Sequence, residues 1–399
     1  MNNFYASVEC LKHPELKGKP VAVGGSVEER HGIILAKNDI AKRFGVSTGE
    51  PIFRAIGKCP DLTVLPPHYN EYIKFSRLAK AIYCDYTDMV EPFGDDECWL
   101  DVTGSTRLFG SGEEIANTIR SRIKNELGLT VSVGVSFNKV FAKLGSDMKK
   151  PDATTVIRKN DFKEKLWRLP ATDMIGVGPS SAKTLEGYGI KTLGQLANAH
   201  LPMIASALGK NGVKLYEAAN GRDLSPVCRF GEGTPMKSIG HGTTTRRDLV
   251  TREEVKTVML SLCEEIGHRL IQNGKRATGI SIALRDNALF TKQYQKKLDV
   301  ATNSYSYIAS EAFSLMNEKH NFSKPLRSVS VTAIDLIPAG SPCQISLFSD
   351  SERVVKRELI DTVMDGINNR FGGGKIKYGL MYCELGNVSS SVGFGVSAR

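Results

Sequence analysis

No stretch of this 399-residue chain approaches the roughly 18 uninterrupted apolar residues that a membrane span requires. The N-terminus, Met-Asn-Asn-Phe-Tyr-Ala-Ser-Val-Glu, lacks the basic region and apolar core of an export signal, so a cytoplasmic protein is expected. Its eight cysteines include no Cys-x-x-Cys pair and its seven histidines no ligand-spaced cluster, which argues against zinc and disulfide frameworks. Acid is in short supply too. Against 53 Lys and Arg stand 43 Asp and Glu, and the formal charge of +10 favours a polyanionic partner, although basic surfaces also serve solubility alone.

What is present is ordinary globular material, 41% hydrophobic and 24% charged, enough for two to four domains. Residues 20–25 read as a short strand ending in a glycine turn and 32–36 as a second strand. A helix over 38–44 follows, with Ile40, Ala41 and Phe44 at helical spacing and Gly45 as its stop. After Pro66-Pro67, residues 69–86 read as an amphipathic helix. Further on, 112–127 is helix-like, 129–135 alternates as a strand, and 138–149 is a helix ended by Pro151. Helix, strand, helix, strand, helix around one sheet is an α+β arrangement.

Inside that run lies Gly94-Asp95-Asp96-Glu97-Cys98-Trp99-Leu100-Asp101. Three consecutive carboxylates are either a solvated turn or a means of presenting acids to a divalent ion from a rigid sheet, and oxygen-rich sites suit Mg²⁺. Successive strand residues face opposite sides, so Asp96 and Glu97 can share one site only where the chain turns; Gly94 supplies the turn. Cys98, Leu100 and Val102 then alternate with Trp99 and Asp101, as in a half-buried strand leaving a hairpin.

A different module starts near Leu169-Pro170. Gly176 and Gly178, a helix over 181–188 carrying Lys183, then Gly187, Gly189 and a helix over 192–197 have helix-hairpin-helix spacing. Glycines let main-chain N–H groups approach a DNA phosphate and a helix N-terminus adds partial positive charge; an ordinary αα-hairpin is the alternative. Beyond Lys237, strand-like stretches at 243–247, 277–285, 291–298 and 326–334 are separated by helical ones near 252–273 and 303–318. Two helices on a four-stranded sheet make a small α+β domain, whose Arg246, Arg247, Lys292, Lys296 and Lys297 are available for phosphates or simply for water.

Five signatures occur in one order: MNNFYASVE at 1–9, GIILAKNDIAKRFGVSTGEP at 32–51, DDECWLDVTG at 95–104, SVGVSFNKVFAKLGSDMKKP at 132–151 and GVGPSSAKTLEGYGIKTLGQLA at 176–197. In these the chain resembles the Y-family translesion DNA polymerases, in their UmuC-like and polymerase IV-like bacterial branch, over nearly its whole length. The resemblance implies a multidomain α+β right hand. Its parts would be a palm (1–5 and 66–165), fingers (6–65), a thumb with the helix-hairpin-helix (166–232), a linker (233–237), a little finger (238–342, entered by KSIGHGTTTRRDL at 237–249) and a tail (343–399).

For chemistry it implies two Mg²⁺ ions, with Mn²⁺ as substitute, transferring a nucleotide from dNTP to a primer 3′-hydroxyl. Asp96 matches the acid that bridges both metals, Glu97 the acid that helps activate the hydroxyl, and the Met1 carbonyl a backbone ligand. Tyr5 matches the steric gate that excludes a ribose 2′-hydroxyl. Asn3 and Phe4 flank the triphosphate, Lys150 contacts it, and Asn38 and Lys42 fit the fingers pattern of this branch. Low fidelity, a DNA-repair and SOS setting and a monomer bound to primer-template DNA come with the family.

Three departures stand out. Asp39 and Lys42 occupy positions where many members carry Tyr and Arg. Asp95 replaces a usually apolar residue, so its carboxylate must find a partner or reach water. The family motif also places an aspartate, the third metal-site carboxylate, immediately before the residue matched by Met1. The resemblance therefore leaves a second reading, a catalytically impaired DNA- and clamp-binding paralogue, and more remotely a helix-hairpin-helix nuclease. In the tail, Gln344, Ser346, Leu347 and Phe348 resemble the Q-x-S-L-F peptide by which bacterial polymerases dock their sliding clamp. After it, Val355, Leu359, Val363 and Ile367 fall at four-residue intervals, a helical stripe closed by Gly372-Gly373-Gly374.

Overall fold

The computed structural model describes residues 1–28, 30, 32–232, 235–342 and 351–386. Two compact units emerge, 1–25 with 33–233 and 26–32 with 234–399.

In the first unit Asn3 precedes helix α1 (Phe4–Lys12) in the left-handed region, φ 47°, which asparagine tolerates better than most residues. Strand β1 (Val21–Gly24) pairs antiparallel with β2 (Ile34–Lys37), and helices α2 (Asp39–Arg43) and α3 (Ile52–Lys58) lead to β3 (Thr63–Leu65), which pairs parallel with β1. Ala22, Ile34, Ala41, Ile52 and Ala55 close a small core there. Next come α4 (Tyr69–Cys84), the hairpin of β4 (Val90–Pro92) with β5 (Cys98–Leu100), a short α5 (Thr106–Phe109) and α6 (Gly112–Leu127). Helix α6 is delimited by its ends: Ser111 and Glu114 form a capping box and Gly128 closes it at φ 68°. Strand β6 (Val133–Val135) then pairs parallel with β7 (Thr154–Val156) across α7 (Lys139–Met148).

The single sheet expected here is in fact two separate pairs, β4–β5 and β6–β7. Side chains of β5 and β6 face a cavity of about 490 Å³ instead of sharing a ladder. Phe4 and Val8 of α1 join Tyr72, Ile115, Ile119 and Ile123 in one core, so α1 packs with α4 and α6 and not only with the fingers segment to which 6–12 was assigned. Similarly, Phe141 and Leu144 of α7 enter the next core, with α8 (Phe162–Leu166), α9 (Pro179–Gly187), α10 (Leu193–Ala197) and α11 (Leu201–Ala219), a helix bent at Gly209.

The second unit has a four-stranded antiparallel sheet in the order β10 (Thr291–Thr302), β9 (Lys275–Asp286), β11 (Leu326–Pro338), β8 (Ser238–Leu249). Helices α12 (Arg252–Gln272) and α13 (Tyr305–Lys319) supply Val258, Leu262, Ile266, Ile308, Ala312 and Leu315 to the core beneath it. This β-α-β-β-α-β order matches the small domain expected from the alternating segments. Helix α14 (Ser351–Phe371) bears the foreseen stripe, yet Val355, Leu359 and Val363 are exposed. Its buried residues are Val354, Glu358 and Asp361. Polar bonds dock it: Arg276 Nη2 to Glu358 at 2.9 Å, and Ser304 Oγ, Ser306 N and Tyr378 OH to the two oxygens of Asp361 at 2.6, 3.0 and 2.9 Å.

Candidate functional site

The acidic segment folds as the glycine predicts. Gly94 takes φ 79°, open to glycine alone without strain, and Phe93 N–H donates to the Glu97 carbonyl at 2.8 Å to close the hairpin. Because the turn precedes β5, Asp96 and Glu97 both line the same cavity, with Met1 beside them. Each acid has a nitrogen partner. The Met1 ammonium donates to the Asp96 carbonyl at 2.8 Å and lies 3.2 Å from its Oδ2. Lys143 Nζ lies 2.7 Å from Glu97 Oε1 and 3.1 Å from Asp147 Oδ2. Burial works against the Lys143 charge, but Glu97 and Asp147 outweigh it and raise its pKa.

Sequence reasoning did not single out Lys143, although it stands in the signature at 132–151. Reaching Glu97 depends on α7 crossing β6 in backbone contact: a Cβ on Gly134 would lie 1.9 Å from the Ala142 carbonyl. Lys139, one turn earlier, grips both oxygens of Glu91 at 2.7 Å and lies over the Trp99 ring, 4.7 Å from its centroid, tying α7 to the hairpin. Burial pushes the Cys98 thiol up to about 11, so it offers no thiolate at neutral pH. The donors are thus all oxygen. Among the described residues no group of three or more His, Cys, Asp or Glu could hold an ion. Two carboxylates with a main-chain carbonyl leave most of an Mg²⁺ shell to phosphate and water, which is how that ion is usually held.

Tyr5 sits half-buried at the start of α1, stacked on Tyr72 with centroids 4.1 Å apart at 11° and edge-on to Tyr69 at 6.2 Å. Its hydroxyl donates to Asp95 Oδ2 at 3.0 Å. Burial first, and then the Asp95 carboxylate, push the phenol well above its ordinary pKa. Asp95 has therefore found the partner its position demands. Phe4 is buried in the core behind, and the Asn3 carbonyl accepts Ser7 N–H at 2.8 Å.

The other nucleotide-site candidates are placed as follows. Asn38 caps α2: Oδ1 accepts Val21 N–H at 3.2 Å and Ala41 N–H at 2.9 Å, and Nδ2 donates to the Lys19 carbonyl at 2.8 Å, so the side chain is occupied within the fold. Lys42 is exposed in the last turn of the same helix. Lys150 pairs with Asp147 at 2.6 Å.

Gly176 and Gly178 are exposed before α9, Gly187 and Gly189 after its exposed Lys183. In the second unit two of the five cations pair with acids: the exposed Arg247 with Glu254 at 2.7 Å and the half-buried Lys296 with Glu311 at 2.6 Å. Arg246, Lys292 and Lys297 are exposed. Gln344, Ser346, Leu347 and Phe348 lie outside the described residues.

Residues 1–147 match the impB/mucB/samB family and 236–347 its C-terminal domain. The chain is 49% identical to DNA polymerase IV of Acetivibrio thermocellus, covering 97% of each. It is 37% identical to DNA polymerase IV 1 of Bacillus subtilis, over 95% of this chain and 91% of that one. In fold it is similar to a Y-family DNA polymerase chimera, with a TM-score of 0.76, 24% identity and coverage of 84% of this chain and 97% of that one.

Proposed function

The chain belongs to the impB/mucB/samB family, the Y-family DNA polymerases, and from that membership we propose that it is a translesion DNA polymerase extending a primer from dNTPs under template direction. The observation that carries this reading is the meeting of Asp96, Glu97 and Met1 at one cavity. Asp96, Glu97 and the Met1 carbonyl would hold Mg²⁺, or Mn²⁺ in its place. Two such ions would bind the triphosphate and stabilise the attacking and leaving oxygens.

The protein's own residues supply the rest. Lys150, released from Asp147, meets the triphosphate as a compact charge, joined by Lys42. Tyr5 closes the space beneath the sugar. Exposed glycines around α9 offer main-chain N–H groups to the DNA backbone, and Arg246, Lys292 and Lys297 offer charge. The sliding clamp enters through Gln344, Ser346, Leu347 and Phe348, on sequence pattern alone, and the SOS setting rests on family resemblance. The relatives' names give no support to a non-catalytic paralogue.

Primer extension with Mg²⁺ tests the reading. Glu97→Ala should lower the rate at least about a hundredfold, a loss of roughly 2.7 kcal/mol of transition-state stabilisation. Absence of dNTP addition, both by this chain and by one extended at its N-terminus with a strand ending in aspartate, would sink it.

A further inference from the structure

A half-buried carboxylate at a position that is usually apolar in the family must be stabilised by something specific, and in this chain that partner is the gate itself. We infer that Asp95 is a positioning residue for sugar selection: by accepting the Tyr5 hydroxyl it fixes the ring where it shuts out a ribose 2′-hydroxyl. The inference rests on the proposed role of Tyr5 as the gate.

Stacking on Tyr72 and the edge contact with Tyr69 confine the plane of the Tyr5 ring but leave it free to slide within that plane. The bond from its hydroxyl to Asp95 Oδ2, at 3.0 Å, removes that freedom. Asp95 is itself anchored. Ser76 Oγ donates to its main-chain carbonyl, and Lys80 Nζ donates to Ser76 Oγ at 2.9 Å. A phenol has one proton, and here it is given to the carboxylate, so only acceptor lone pairs remain for an incoming sugar. The ring thus acts by position. A hydrogen bond to a charged acceptor is strong enough to bias that position about tenfold or more.

The test compares kcat/KM for a dNTP and its matching rNTP in primer extension by the full chain and its variants. Tyr5→Phe and Asp95→Leu remove the same bond from its two ends. Each should lower the dNTP-over-rNTP ratio about tenfold, and the double variant should lower it no further. Asp95→Asn keeps an acceptor oxygen and should recover most of the ratio. If Tyr5→Ala admits ribonucleotides while Tyr5→Phe and Asp95→Leu leave the ratio unmoved, the positioning role is overturned and the gate survives. An unchanged ratio in Tyr5→Ala would remove the gate and this role with it. Chemical denaturation of the same four-member cycle reads the bond without activity: coupling between the two sites is expected, and zero coupling overturns the inference.

Discussion

Glu97 and Lys143 form a half-buried pair at 2.7 Å, 46 residues apart in sequence. If Glu97 turns to a metal when nucleotide binds, the lysine is the partner it leaves. A double-mutant cycle with Glu97→Gln and Lys143→Met should give a coupling of about 1 kcal/mol in denaturant unfolding, since neither side chain is fully desolvated. Millimolar Mg²⁺ with dNTP should shrink that coupling; a coupling indifferent to both would detach Glu97 from the metal site. That Asp96 and Glu97 could meet at one turn was legible in the sequence, because Gly94 and the neighbouring carboxylates are local. Their partners were not. Tyr5 and Asp95 lie 90 residues apart and meet only through the packing of α1 and α4 against the hairpin. Asn38 shows the converse: a polar residue in a signature whose side chain the fold has already used.

Elements with marked ends were legible. Ser111 with Glu114, Thr192 with Gln195 and Thr251 with Glu254 all form capping boxes, and the helices they open lie where periodicity put them. Helix α3, seven residues long, carries too little pattern to be seen, and α11 is broken at Gly209, whose φ of 61° is where glycine interrupts a helix. On α14 the apolar stripe misdirects, because Glu358 and Asp361 make the docking contacts while Leu359 stays in solvent.

A similar polar clip fastens α6 to the start of β7. Asp152 accepts from Arg120 Nη2 at 2.9 Å and Lys124 Nζ at 3.0 Å, and its own N–H donates to the Asn2 side chain beside the site at 3.1 Å. Burial would raise the Asp152 carboxyl, but Lys124 and Arg120 hold it below its ordinary value. A carboxyl lowered in the folded state contributes stability above its unfolded pKa of about 3.9 and loses it as pH falls through the folded value. Asp152→Asn should therefore cost about 1 kcal/mol near neutral pH. Denaturation curves of variant and parent should begin to converge below about pH 4 and meet once the carboxyl is protonated in the folded state as well; a gap that persists at that acidity would mean the carboxylate charge is not what holds the clip.

For the whole molecule the governing quantity is charge. An excess of 10 positive charges survives the pairs that form within the fold, since each pair, as at Arg120, Lys139, Arg247 and Lys296, removes one charge of each sign. Composition therefore gives the size of that excess but not where on the surface it meets a polyanion. If Lys183, Arg246, Lys292 and Lys297 supply the phosphate contacts, about four counterions leave the duplex on binding, a slope near −3.6 of log affinity against log salt. Affinity for primer-template DNA should then fall on the order of a hundredfold between about 50 and 200 mM salt. Replacing any one of the four with alanine should flatten the slope by about one and weaken binding to all sequences alike. Lys296→Ala, which breaks an internal pair with Glu311, should leave the slope as it was. A slope that responds to Lys296 and not to Lys297 would place the phosphate contacts on the side of β10 that Lys292 and Lys296 share, opposite to Lys297.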